Sequence, residues 1–327
     1  MNHKERIQAV LRREAVDRVP VATWGHDFLR EWSAEDLASH TIERHRKYDY
    51  DFVKLNPRWT MFAEPWGNVY EPPTEQRFPR LKQKIVSTVE DLSAVPMVSA
   101  GHPVFEQHVD ALKLVLAEIG HDVDVLVTIF SPLSVLGLLC GGVGHPLIGY
   151  AEETPGTVHE VLDNITRTLQ QHTENLIDAG ASGVFYAALQ WTSSEVCSDE
   201  FFNEFGRPYD ERVLQAARGA PFNIFHVCGN HVNLPRFFDY PVQVFNWDNF
   251  GPGNESLVTA SKMTNKVVAG GIPHRKLHKL GESELLRTTQ QALEGAGHNV
   301  MLAGGCGIGA TVSDDIRRSV TTIADSL

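Results

Sequence analysis

Phe222-Asn-Ile-Phe-His-Val227 is a short apolar run of aromatic and β-branched residues, the composition of a buried parallel strand. A helix-period segment, Ser198 to Ala217, precedes it, and a second short run, Val242-Gln-Val-Phe245, follows. Gly219 stands between helix and strand, where helices stop. This strand–helix–strand rhythm decides the fold once it is followed outward in both directions.

Toward the N-terminus the rhythm gives Arg18–Trp24, Tyr50–Leu55, Val123–Phe130 and Gly183–Ala187 as strands. Toward the C-terminus it gives Lys266–Ala269 and Asn299–Ala303. Helix-period segments Val158–Ala179 and Ser283–Ala296 lie between strands, and Gly180 and Gly297 follow them as stops. Ser198-Asp-Glu and Ser283-Glu suit helix N-termini. Eight strands alternating with helices predict an α/β fold, a single (β/α)8 TIM barrel spanning residues 1–327. A doubly wound sheet is the competing arrangement, but no Gly-x-Gly-x-x-Gly follows the first strand. The stretch 56–120 is long for one connection and carries Pro57, Pro65, Pro72, Pro73, Pro79 and Pro96; it reads as an elaborated loop with a small hairpin.

Composition narrows the function classes. Hydrophobic residues make up 42% of the 327, enough for a sizeable core. No apolar run approaches the roughly 18 residues of a membrane span, so no membrane association is expected. Met1-Asn-His-Lys-Glu-Arg-Ile7 is polar where a signal peptide is apolar. A net charge of −12, spread along the chain, argues against nucleic acid as partner. Four cysteines are too few for a disulfide framework, so a reducing cytoplasm is the expected compartment. Cys140 and Cys197 stand alone and read as small buried apolar residues.

Barrel enzymes place their chemistry where strands end. His226 and Cys228 end the fifth strand, and Cys306, in Gly304-Gly-Cys-Gly307, lies just past the eighth. One imidazole and two thiolates are a ligand set for zinc, and three protein ligands leave a fourth position open, as catalytic sites do. Ligands so far apart in sequence need a folded scaffold to meet. The competing reading is a satisfied core histidine beside two buried cysteines. Other strand ends offer Trp24 and His26, Gln190, and Asn246 with Asp248.

At these residues the chain resembles the uroporphyrinogen decarboxylase superfamily. Within it, the chain looks most like the zinc-dependent methyltransferases that move a methyl group from a corrinoid to a thiol, such as methylcobamide:coenzyme M methyltransferases. The opening Lys4–Pro20 is similar to the superfamily's first helix and strand entry. Glu64-Pro-Trp-Gly67 resembles a Glu-Ala-x-Gly segment of the methyltransferases, Phe130-Ser-Pro-Leu133 a Gly-x-Pro turn, and Phe201–Tyr209 a shared helix. The His-x-Cys at 226–228 and the Gly-Cys-Gly around Cys306 match the methyltransferase zinc signature. The resemblance implies a (β/α)8 barrel.

Where decarboxylases carry Arg-Gln-Ala-Gly-Arg, this chain reads Ala22-Thr-Trp-Gly-His26-Asp-Phe-Leu-Arg30. Where they carry a Phe-Ser-Asp-Ile aspartate, it reads Lys54-Leu-Asn-Pro-Arg58, and Cys306 stands in place of their C-terminal histidine. The resemblance therefore implies a methyltransferase with His226, Cys228 and Cys306 as zinc ligands and a thiol as acceptor. No Asp-x-His-x-x-Gly corrinoid motif occurs, so the methylated corrinoid would come on a partner protein. Zinc would give the acceptor thiol its nucleophilic form near neutral pH.

Glu64 would complete the zinc shell or accept a proton; a solvated loop carboxylate is its other reading. Asp248 and Asn246 would orient substrate or support His226 from behind, with helix capping the alternative for Asp248. Trp24, His26 and Gln190 would line the substrate pocket. His274 and His278 read as a polar helix start. Two further functions stay open: a superfamily carboxy-lyase acting on a tetrapyrrole or other carboxylate, and a non-catalytic barrel that binds a small molecule.

Overall fold

The computed structural model describes residues 1–144 and 146–327. Among the described residues ten strands occur in chain order: β1 Val21–Ala22, β2 Phe52–Leu55, β3 Val69–Glu71, β4 Arg80–Gln83, β5 Asp124–Phe130, β6 Gly183–Ala187, β7 Ile224–His226, β8 Val244–Asn246, β9 Val267–Ile272 and β10 Val300–Gly304. Eight of them form one all-parallel sheet in the order β1-β10-β9-β8-β7-β6-β5-β2. At the seam between β1 and β2, the Asp51 N–H donates to the Val21 carbonyl at 2.8 Å, and the Val21 N–H donates to the Asp51 carboxylate at 2.8 Å. The result is a nearly closed (β/α)8 barrel.

The strands are short and apolar because helices cover their outer faces and side chains fill the interior. Every residue of β5 and of β6 is buried. The long helix Pro155–Asp178 turns Val158, Val161, Leu162, Ile165 and Leu169 inward on one stripe and begins on a proline.

Three local differences from the sequence reading have plain causes. The expected helix Ser198–Ala217 is two helices, Asp199–Phe205 and Arg207–Ala216. Pro208 has no N–H to give and its ring crowds the carbonyl four residues back, so the chain bends at Gly206. The last interstrand helix runs Glu282–Leu293 with Gly281, not Ser283, at its N-cap. β9 continues through Gly270 and Gly271 to Ile272, because β10 stays paired with it as far as Gly304 opposite Ile272; glycine is needed at 270, where a Cβ would meet Asn249 Oδ1 at 2.8 Å.

The 56–120 stretch carries the hairpin β3–β4, antiparallel as expected. It also carries a 17-residue helix, Pro103–Ile119, that reading the stretch as a loop overlooked. Its buried stripe, Phe105, His108, Leu112, Val115 and Ile119, has helical spacing; the many prolines upstream masked it. This helix supplies the outer layer between β2 and β5, and the hairpin is left hanging over the barrel mouth.

Candidate metal centre

β7 ends on His226, Cys228 lies two residues beyond it, and Cys306 lies two residues beyond the end of β10. All three therefore stand on the face formed by the strands' C-terminal ends. Their ligand atoms lie within 4.8 Å of one another. Ligands around a tetrahedral zinc ion stand about 3.3–3.8 Å apart, so small rotations complete such a site. The turn that delivers Cys306 needs glycine. A Cβ on Gly305 would fall 2.4 Å from the Asp248 Cα, and one on Gly304 would fall 2.7 Å from the Cys306 carbonyl oxygen. After Cys228, Gly229 takes φ +104°, which turns the chain away from the mouth.

The hydrogen-bond network fixes the imidazole's tautomer. The Asn246 amide nitrogen donates to the carbonyls of Ala269 at 2.9 Å and Gly304 at 3.0 Å. Its Oδ1 must then accept, and the His226 Nδ1 lies 2.7 Å away. His226 therefore carries its proton on Nδ1, leaving the Nε2 lone pair for a metal. The Cys306 thiol is held well below its ordinary range, first by its hydrogen bond with Cys228 and then by His226; the same bond raises Cys228. The two sulfurs behave as one site in which Cys306 ionises first. The donor set and the oriented lone pair fit zinc.

A cavity of about 710 Å³ opens over this trio. Trp24, His26 and Gln190 line it together with His226, Cys228 and Cys306. Gln190 sits in a short 3-10 turn, Leu189–Thr192, directly after β6. His26 stacks on Phe28 at 5.1 Å and its Nδ1 meets Glu31 at 2.7 Å. Burial raises the Glu31 carboxyl while the His26 hydrogen bond lowers it. Phe78, at the hairpin tip, packs on Phe28 at 4.7 Å and forms part of the rim.

Three other candidates are placed differently. Asn246 is fully buried behind His226, off the cavity wall. Glu64 is also off the wall: Arg58 grips both its oxygens, with Nη2 to Oε2 at 2.7 Å, and the Thr60 hydroxyl donates to Oε1. Asp248 is buried and meets Arg275 at 2.7 Å.

Sequence reading missed Lys54 and Arg58, which line the cavity, and His274, which stands close enough to perturb Cys306. His274 lies in the turn after β9, ahead of a 3-10 turn, Leu277–Lys279, rather than at a helix start. Burial lowers its pKa. A strand-borne lysine between apolar neighbours, as in Phe52-Val-Lys-Leu55, was a legible signal for an inward charge.

Fold and site together define a (β/α)8 barrel with an imidazole–dithiol trio on the face where such barrels do their chemistry. The chain belongs to the uroporphyrinogen decarboxylase (URO-D) family, whose model matches residues 2–325. Among solved structures, a methyltransferase from Methanosarcina mazei superposes with a TM-score of 0.82 at 19% identity, covering 100% of this chain and 99% of that one. A B12-independent methionine synthase from a Shewanella species, in complex with selenomethionine, superposes with a TM-score of 0.64 at 13% identity, covering 94% and 97%. Identities this low show a shared fold. No curated protein sequence is matched. No helix among the described residues is long and apolar enough to cross a membrane.

Proposed function

We propose that this protein is a zinc-dependent methyltransferase that moves a methyl group from a methylated corrinoid, carried by a partner protein, to a thiol or similar acceptor. The observation that carries the reading is the convergence of His226, Cys228 and Cys306 on the cavity wall, with the Nε2 lone pair of His226 left free by the Nδ1 bond to Asn246. A zinc ion bound there would lower the pKa of an acceptor thiol and so supply a nucleophile near neutral pH.

The chain's own residues prepare the site. Asn246 fixes the His226 ring. Cys228 and Cys306 share a proton that would leave with metal binding. Trp24, His26 and Gln190 shape the path to the trio. Glu64 and Asp248 act from outside the cavity as positioning residues, Glu64 by holding Arg58 on the wall and Asp248 by holding Arg275 and backing Gly305.

The test combines metal analysis with transfer from methylcobalamin to 2-mercaptoethanesulfonate and to 2-mercaptoethanol. About one zinc per chain and methylation of a thiol are expected, both lost in Cys306→Ser. Zinc-free protein after purification without chelator, or transfer unaffected by Cys306→Ser, sinks the reading.

A further inference from the structure

Lys54, on β2, lines the same cavity. Its Nζ donates to Asn56 Oδ1. Among the described residues no carboxylate stands within ion-pairing distance of it. The other cation on the wall, Arg58, is matched by Glu64. Lys54 is therefore left without a carboxylate partner on the cavity wall, with the Cys306 sulfur and Glu31 acting on it only as opposite charges beyond ion-pairing reach. Two of its three N–H donors remain open.

The surroundings of that charge are aromatic. The Phe185 ring lies 4.5 Å from Nζ and the Trp24 ring 5.8 Å. Phe185 is a shared wall, since its ring is also 5.2 Å from that of His226. Phe28, Trp59, Tyr70 and Phe130 continue the lining toward the rim. Such walls favour a planar ring, and an enclosed ammonium with open donors favours an oxyanion. Burial, the main cause, also pushes the Lys54 amine down to about 7, and an arriving anion would restore its charge.

We propose that Lys54 anchors the acidic oxygen group of an aromatic ligand, whose ring lies along Trp24 and Phe185 and whose far end reaches His226, Cys228 and Cys306. Lys54 is then the residue that selects acids over neutral analogues. That the far end is the reacting end rests on the methyltransferase reading; the anion anchor does not.

Calorimetric titration of the full chain, zinc-loaded and metal-free, separates the two. The probes are benzoate, its neutral isostere benzamide, and propionate, which has the acid without the ring. Benzoate is expected to bind at least tenfold tighter than either of the others, with or without zinc. Lys54→Met should remove the preference over benzamide, and Lys54→Arg should retain most of it. Equal binding of benzoate and benzamide overturns the proposal, as does a preference that survives in Lys54→Met. Absence of benzoate binding at millimolar concentration overturns it too. Should Lys54→Met not fold, Lys54→Gln serves in its place, and the wild-type comparison still decides. No step uses a corrinoid or a thiol, so failure of methyl transfer leaves this result standing.

Discussion

Asn246 Oδ1 accepts the Nδ1 proton of His226 at 2.7 Å while the Asn246 amide nitrogen is committed to the carbonyls of Ala269 and Gly304. One side chain thereby ties the ends of β8 and β10 and the middle of β9 to the orientation of the His226 imidazole on β7. Groups in this position commonly contribute 10–100-fold to metal affinity. Asn246→Ala should weaken zinc binding by about that factor in a chelator-competition titration. It should also cost roughly 1–3 kcal/mol of stability, because buried carbonyls lose their donor. Zinc affinity unchanged within a factor of two would mean that the imidazole is oriented by packing alone.

Gly305 is set by backbone, not by a movable side chain. A Cβ there would stand 2.4 Å from the Asp248 Cα, so Gly305→Ala must shift the loop that carries Cys306. Overpacking of this kind costs about 1–3 kcal/mol. Urea denaturation should show that loss, and metal analysis should show zinc well below one per chain. A variant that keeps full zinc content would show that the loop can move without moving the sulfur.

The Glu64–Arg58 pair makes a separate prediction. Glu64→Gln removes the charge that matches Arg58, whose side chain is 8% exposed. Because the pair is only partly open to solvent, a loss of roughly 1–3 kcal/mol is expected. Zinc content should stay at the wild-type level, since both Glu64 oxygens are engaged away from the cavity. A fall in bound zinc would place Glu64 in the metal shell.

Asp210 gives a pH dependence far from the site. It is fully buried and accepts from Tyr186 at 2.7 Å and from Tyr240 at 3.1 Å. Burial pushes its carboxyl up from 3.8 to about 7, against the pull of those two hydroxyls. Between those values the folded chain holds a proton that the unfolded chain has released. Stability from this group is therefore present below pH 4, falls as pH rises toward 7, and is flat above. Asp210→Asn removes the titration. The wild type should lose roughly 2–4 kcal/mol relative to the variant between pH 5 and pH 8, read from paired urea curves. Parallel pH profiles for the two proteins would show that Asp210 titrates normally.

Much of this molecule is written locally. Runs such as Asp124–Phe130 and Gly183–Ala187 are apolar enough to be strands only between two covered faces, and eight of them alternating with helices, with no Gly-x-Gly-x-x-Gly after the first, favour the barrel over a doubly wound sheet. His226, Cys228 and Cys306 were legible because barrel chemistry sits at strand ends, so that strand count alone puts distant ligands on one face. The helix Pro103–Ile119 was legible too, but its signal was overshadowed by the prolines before it.

Tertiary structure decided what depends on which side chains face each other. Asn246 ends β8 and Gln190 lies in the turn after β6, yet one backs the imidazole and the other lines the cavity, because the carbonyls of Ala269 and Gly304 hold the Asn246 amide inside the sheet while the 3-10 turn leaves Gln190 on the cavity wall. Glu64 looked available until Arg58 and Thr60 were seen to hold it. The apolar neighbours of Lys54 signalled an inward charge, but only the closed barrel placed the rings of Trp24 and Phe185 beside it. Sequence specifies donors and periodicity; pairing, enclosure and tautomer arise only when the chain closes on itself.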